Sequence, residues 1–251
     1  MGTAPLFLVD ALPDGERLLL DGPEGRHAAT VKRLRVGEAV LIGDGRGGLA
    51  EARVAGTGRD RVELTIVDRR TVAAPAPRVL LVQALVKGDR GELAVELATE
   101  AGVDGIVPWR ASRCVARWDD GARGAKALAR WRSTVREAAK QARRPWVPPV
   151  EEPVGTAELA NRIRRRGGGL VLHEGAADPL AAASLPGGPE LIMVVGPEGG
   201  ITEAELVELV TAGAQPVRLG PEVLRASTAA AVALGALSVL TGRWSEGSNL
   251  H

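Results

Sequence analysis

At Ala73-Ala-Pro-Ala-Pro77 the apolar residues change from short, turn-bounded groups to unbroken runs, and this change limits the fold more than any other feature of the chain. Before it, Leu18–Leu20, Ala39–Ile42, Leu49–Val54 and Val62–Val67 read as short strands, bounded by Gly and Asp turns such as Gly43-Asp-Gly-Arg-Gly-Gly48. Short strands at spacings of about 8 to 12 residues predict a small β-barrel. A short helix is expected to interrupt it at Arg26–Leu34, while Gly22-Pro-Glu-Gly25 reads as a turn. After the seam, Val79–Leu85, Ile106–Pro108, Leu170–Leu172 and Leu191–Val195 are strands apolar on both faces. Helical patterns alternate with them: Leu93 and Leu97 lie four apart in a stretch ending at Gly102, Lys126–Ala142 forms a long basic helix, and Ala229–Leu240 a small-residue one. Strands without alternation, separated by helices, predict a mainly parallel sheet covered on both faces. The expected organisation is therefore a small β domain over residues 1–73 and an α/β domain over residues 74–251, with the proline-rich seam as linker.

Composition removes several function classes. The 251 residues are 45% hydrophobic and 25% charged, which is globular and not disordered chemistry. A single cysteine, Cys114, excludes an internal disulfide framework and a Cys-rich zinc site, and three scattered histidines (His27, His173, His251) leave little for a metal centre. No run of about 18 strongly apolar residues is present, so no membrane span is expected. Met1–Asp10 lacks a cationic region ahead of its apolar residues, so no secretory signal is expected. The reading is a cytoplasmic protein that uses neither metal nor membrane.

Whether nucleic acid is the partner turns on charge, because aromatic platforms for base stacking are scarce: no tyrosine, one phenylalanine and five tryptophans. Arg110–Trp146 carries 11 basic residues against 3 acidic ones in a chain whose net charge is only +1. Such a segment is either a phosphate-facing surface or a solvated helix face. Arginine outnumbers lysine 28 to 4, which suits bidentate phosphate contact and is equally what a GC-rich genome produces.

Three loops could hold chemistry. Gly196-Pro-Glu-Gly-Gly200 follows the strand Leu191–Val195 and precedes Thr202-Glu-Ala-Glu205, a capping box opening a helix. Ligands of open α/β sheets collect at the carboxyl ends of strands, and glycines there let backbone approach closely. Leu219-Gly-Pro-Glu-Val-Leu-Arg-Ala-Ser-Thr228 places Arg225 before Ser227 and Thr228 at a helix start, either an anion site or a simple cap. Leu172-His-Glu174 follows a third apolar strand. No G-x-G-x-x-G after a strand, Walker loop, G-x-S-x-G elbow or H-E-x-x-H occurs, which excludes a nicotinamide dehydrogenase among others.

Taken in order, Val86-Lys-Gly-Asp-Arg90, Ala98-Thr-Glu-Ala-Gly-Val103, Glu137-Ala with Gln141 and Arg144, Leu172-His-Glu174, Val195-Gly-Pro-Glu-Gly-Gly200 and Leu219-Gly…Val223-Leu-Arg225…Thr228-Ala229 resemble the RsmE-type methyltransferases of the SPOUT class. Arg26-His27, Val31, Arg33-Leu34-Arg35, Gly37 and Asp44-Gly45 resemble that family's PUA-like RNA-binding domain, so the likeness runs from about Leu6 to Leu240. The resemblance implies methylation of N3 of a uridine in 16S ribosomal RNA of the 30S subunit with S-adenosyl-L-methionine, by a homodimer whose C-terminal sheet carries a deep trefoil knot.

By the same resemblance, Arg225 and Glu198 are the catalytic candidates. Arg225 would stabilise charge on the uracil oxygens, and Glu198 would orient the base or accept its proton, unless it caps the next helix. Leu172, His173, Glu174, Val195, Gly196, Pro197, Gly199, Gly200, Leu219, Gly220, Leu224, Arg225, Ser227, Thr228 and Ala229 would hold the cofactor. Arg26, His27, Lys32, Arg33, Arg35, Lys87, Arg90, Arg110, Arg113 and Arg144 would hold RNA. The chain departs from the family where Arg-Thr-Glu-Thr-Ala becomes Arg225-Ala-Ser-Thr-Ala229, removing a candidate base, and where Thr3-Ala-Pro-Leu6 lacks an arginine. Two alternatives stand: a SPOUT ribose 2′-O-methyltransferase acting on ribosomal or transfer RNA, and a non-catalytic RNA-binding factor of ribosome assembly.

Overall fold

The structure, a computed structural model, describes residues 4–245. Among the described residues, 4–74 together with Ala139–Val147 form one compact unit, and 75–138 with 148–245 form a second. Each has its own core.

In the first unit, strands β1 (Leu6–Leu8), β2 (Arg17–Leu20), β3 (Ala39–Gly43), β4 (Gly48–Gly58) and β5 (Arg61–Thr71) form one sheet in the order β1-β3-β4-β5-β2. β1 pairs parallel with β3 and the other pairings are antiparallel. β1 and β2 are the sheet's edges, so hydrogen bonding does not close the expected barrel. Alternate residues of β3, β4 and β5 (Val40, Ile42, Ala50, Ala52, Val54, Val62, Leu64, Ile66) pack around Phe7 and Leu20, as a period of two requires. The helix expected at Arg26–Leu34 starts earlier. Gly22–Arg26 is helix α1, with Pro23 in its first turn, where a missing N–H costs nothing. The chain then runs into a π-helical turn, His27–Val31, so Gly22-Pro-Glu-Gly25 is a helix start and not a separate turn.

Ala139–Val147, which the sequence reading leaves in the second domain, joins this unit through Trp146. Its indole N–H donates to the Val72 carbonyl at 2.9 Å, and Gly47 N–H and Val147 N–H bond to Pro145 and Gly45 carbonyls. Gly47 is required beneath that ring: its φ is +97°, and a Cβ there would stand 2.6 Å from both the indole and the Val72 oxygen. The Lys140 ammonium, itself buried, donates to Glu24 at 2.8 Å.

The second unit is an all-parallel sheet of β6 (Arg78–Ala84), β7 (Gly105–Trp109), β8 (Gly169–Leu172), β9 (Glu190–Val195) and β10 (Ala214–Val217), in the order β10-β8-β9-β6-β7. Its helices are α2 (Arg90–Glu100), α3 (Ala122–Gln141), α4 (Thr156–Arg166), α5 (Glu203–Thr211) and α6 (Ala226–Leu240). Leu80, Val82, Val107, Trp109, Val171, Ile192 and Val194 pack with Leu159 and Ile163 of α4 and Leu209 of α5. The opposite parity of β6 and β9 (Val79, Leu81, Leu191, Met193, Val195) is buried as well, and α2 and α6 pack together, with α6 also touching β9. Burial on both parities is why these strands read as continuous apolar runs. In α3, Ala127, Leu128, Trp131, Val135 and Ala138 form the buried stripe at helical spacing. Arg123, Lys126, Arg130 and Arg132 stand exposed.

Candidate active site

Because β10, β8 and β9 are parallel neighbours, the three loops that leave their carboxyl ends lie side by side. Together they line a cavity of about 670 Å³, and the ends of β6 and β7 add Val86, Arg90 and Arg113. Every residue expected to hold the cofactor lines it except Thr228, whose hydroxyl turns back to the Arg225 carbonyl at 3.1 Å. Both catalytic candidates, Glu198 and Arg225, line it too.

Local bonds fix the loops. Gly175 N–H donates to His173 Nδ1 at 3.1 Å, which leaves the proton of the neutral ring on Nε2. The Arg218 guanidinium bonds the carbonyls of Ala176 (3.1 Å) and Ala177, tying the loop after β8 to the end of β10. Gly200 N–H closes a turn onto the Pro197 carbonyl at 2.9 Å. Arg225 is the extended N-cap residue of α6, which begins at Ala226, and neither Ser227 nor Thr228 caps the helix with its side chain.

Glu198 does not cap α5. That position belongs to Thr202, whose hydroxyl accepts from Glu205 N–H at 3.3 Å in the expected capping box. Glu198 instead faces Arg90, with 3.6 Å between Oε1 and Nη1. Glu205 is 4% exposed. Burial pushes its carboxyl up, but the Thr202 hydroxyl and the Ser112 and Thr202 amides outweigh this and hold it below the ordinary range. Burial also raises the nearby Cys114 thiol to about 11, so it stays protonated and unreactive.

The lining suits a zwitterionic ligand with an apolar part. Glu174, Glu198 and Glu222 can face cationic groups, and Arg90, Arg218 and Arg225 a carboxylate. Leu172, Val195, Ile201, Leu219 and Leu224 can face an aromatic ring, in a volume within the ordinary range for cofactor pockets. S-adenosylmethionine, with its sulfonium, amino acid and adenine, has this chemistry.

Comparison with known proteins agrees. The RNA methyltransferase domain family matches residues 74–238, and the RNA methyltransferase PUA domain family matches residues 20–67. The ribosomal RNA small subunit methyltransferase E of Mycobacterium bovis is 51% identical over 246 residues, covering 96% of this chain and 94% of the relative. The chain belongs to the ribosomal RNA small subunit methyltransferase E family. A Bacillus subtilis member is 31% identical over 88% of this chain and 90% of its own. The crystal structure of the Neisseria gonorrhoeae member bound to S-adenosyl methionine superposes with a TM-score of 0.84 at 32% identity, covering 94% of this chain and 98% of that one.

The cations expected to hold RNA in this family member fall into different settings. In the PUA unit, Arg26, Lys32, Arg33 and Arg35 are exposed and His27 is half-buried, edge-on to Phe7. Asp60, from the β4–β5 turn, stands 3.8 Å from Arg26, so this cluster has an acidic neighbour that the local sequence does not show. Arg144 is half-buried in the same unit. In the methyltransferase unit Lys87 is exposed and Arg110 pairs with Asp120 at 2.8 Å. Arg90 and Arg113 line the cavity. Sequence reasoning missed Val86, Ile201, Arg218, Glu222, Val223 and Ala226 as lining residues. Arg218 follows directly on β10, and recognising that strand would have found it.

No helix among the described residues is long and apolar enough to cross a membrane, and among them no group of three or more His, Cys, Asp or Glu could hold a metal ion.

Proposed function

We propose that this protein methylates N3 of a uridine in 16S ribosomal RNA of the small subunit, with S-adenosylmethionine bound in the cavity at the carboxyl ends of β8, β9 and β10. The observation that carries the proposal is that the loops quoted for the family line one cavity of matching chemistry, in a chain alike over 94% of its length to a relative with S-adenosyl methionine bound.

Bound S-adenosylmethionine supplies an electrophilic methyl group on its sulfonium. The chain's own part is placement and electrostatics. The uracil imide must lose its N3 proton as N3 takes the methyl, and negative charge spreads to O2 and O4. Arg225, exposed at the cavity rim, stabilises that charge. Glu198 accepts the proton or holds the imide N–H, and Arg90, 3.6 Å away, orients its carboxylate. His173 offers Nε2–H as a donor. The backbone of the Gly196–Gly200 and Leu219–Leu224 loops holds the cofactor.

Arg26, Lys32, Arg33 and Arg35 with His27 hold the RNA backbone on the PUA unit. Lys87 and Arg110 do so on the methyltransferase unit, with Arg144 supporting. Binding of this ionic kind weakens steeply with salt. The base has to be unstacked before N3 is reachable, which favours a folded ribosomal site over a free oligonucleotide. We read the enzyme as a homodimer. Val232, Val239, Leu240 and Trp244 project from α6 and its C-terminal end as an exposed apolar group of the kind that partners cover. We also read the C-terminal sheet as knotted, supported by β8 lying between β9 and β10 while α6 returns to pack on α2. The direct test incubates the protein with labelled S-adenosylmethionine and small subunits lacking the modification: label in 3-methyluridine of 16S RNA supports the proposal, and its absence contradicts it.

A further inference from the structure

The glycine turn of the cavity is held by the segment that follows β7. Arg113 Nη1 donates to the Gly199 carbonyl at 3.1 Å. A Cβ on Gly199 would stand 3.1 Å from Arg113 Cβ and 3.2 Å from its carbonyl oxygen, so there is little room for a side chain between the two segments. One residue earlier, Ser112 N–H donates to Glu205 Oε1 at 2.8 Å. The other oxygen of that buried carboxylate accepts the Thr202 N–H at 3.1 Å and the Thr202 hydroxyl at 2.7 Å. Thr156, at the start of α4, adds a bond to Oε1 at 3.1 Å. These contacts close a ring that runs Gly199, Arg113, Ser112, Glu205, Thr202 and back along the chain to Gly199.

Within this ring the peptide joining Gly199 to Gly200 is pinned at both ends. Its N–H bonds the Pro197 carbonyl and its C=O takes the Arg113 guanidinium. A Gly-Gly peptide is otherwise the freest unit in a chain, since neither residue carries a Cβ to restrict rotation. Without the guanidinium, the Gly199 carbonyl could turn into the cavity. We infer that Arg113 is a positioning residue for the methyl donor: it fixes the Gly199–Gly200 peptide in the orientation that leaves the cavity open to the ligand. This rests on reading the cavity as the S-adenosylmethionine site, and it gives Arg113 a role different from the phosphate contact suggested by its basic segment. The guanidinium acts through a loop carbonyl. Glu205, through Ser112, sets where that guanidinium can reach.

The test compares wild type with Arg113→Ala and Arg113→Lys, using calorimetry with S-adenosylmethionine in the absence of RNA, exchange of the Gly200 amide in the ligand-free protein, and binding to a 16S RNA fragment. Loss of a charge-assisted bond predicts about tenfold weaker S-adenosylmethionine binding and about tenfold faster Gly200 exchange in Arg113→Ala. Arg113→Lys, which keeps one donor, should recover part of both. RNA affinity and its salt dependence should stay within about twofold, and the melting temperature, which reports folding, should hold. S-adenosylmethionine affinity equal to wild type in Arg113→Ala overturns the inference, as does unchanged Gly200 exchange. Failure of the wild-type protein to bind S-adenosylmethionine overturns the reading of the cavity and this inference together.

Discussion

Arg90 Nη1 stands 3.6 Å from Glu198 Oε1, across two loops that leave neighbouring strands of the parallel sheet. Glu198 is left for this pairing because Thr202 and Glu205 already satisfy the start of α5. An exposed pair of this kind adds at most about 1 kcal/mol to stability, so substitutions in it should leave folding intact. Glu198→Gln is expected to lower methyl transfer by about 10²-fold at neutral pH with the melting temperature unchanged. Arg90→Ala should cost several-fold, and Arg225→Ala about 10²-fold. Steady-state kinetics on 16S RNA beside thermal melts checks all three; an active Glu198→Gln removes the acid from the mechanism.

Glu205 makes stability depend on pH. Folding lowers the pKa of its carboxyl, so its contribution is complete above the ordinary value of 4.5 and is lost as pH falls through the lower folded one. Chemical denaturation below pH 4.5 should therefore show a loss of stability that is smaller in Glu205→Gln. At neutral pH the same substitution should cost about 1.5 to 3 kcal/mol, since bonds from Ser112, Thr156 and Thr202 lose their ionised acceptor.

Arg243 closes the second unit. Its guanidinium reaches Asp104 at 2.5 Å and the carbonyls of Pro77 and Gly102 at 2.6 and 2.9 Å, and Asp104 also accepts Val79 N–H at 2.8 Å. Both side chains are nearly buried. Arg243→Ala removes the guanidinium from a buried carboxylate and from the Pro77 and Gly102 carbonyls, and should cost about 3 kcal/mol. A melting temperature lowered by roughly 6 to 12 °C would agree. Asp104→Asn in the same chain should restore part of the loss.

The exposed apolar group on α6 predicts self-association. Val232 and Val239 lie seven residues apart on one helical face, and Trp244, 61% exposed, packs its ring near Gly235 beside them. Sedimentation equilibrium should give twice the chain mass for the wild type and the chain mass for Val239→Asp. A wild-type monomer would remove the homodimer from the account.

Much of this was legible in the sequence for a physical reason. β6, β8 and β9 are buried on both faces, so apart from Arg78 and Glu190 at their starts and the buried Gln83 their residues are apolar, and the loops behind them carry glycines and charges that stand out. The same reasoning fails for β10, where Gln215 and Pro216 interrupt the run on a strand with a single neighbour, and with it went Arg218. Helix α4 is missed because Leu159, Ala160 and Ile163 are its only buried residues among charged ones. Arg110 and Arg113 read alike from local charge, but their settings differ: one pairs with Asp120 and the other bonds the Gly199 carbonyl. The second partner is 86 residues away, and no local pattern announces it. Arg243 looks like any solvated arginine for the same reason.

The central claim is the identity of the methylated atom. Small subunits lacking the modification would be treated with the protein and labelled S-adenosylmethionine, and their 16S RNA digested to nucleosides. Label is expected in 3-methyluridine alone. Label in a 2′-O-methyl nucleoside, or RNA bound with no label transferred, would contradict it.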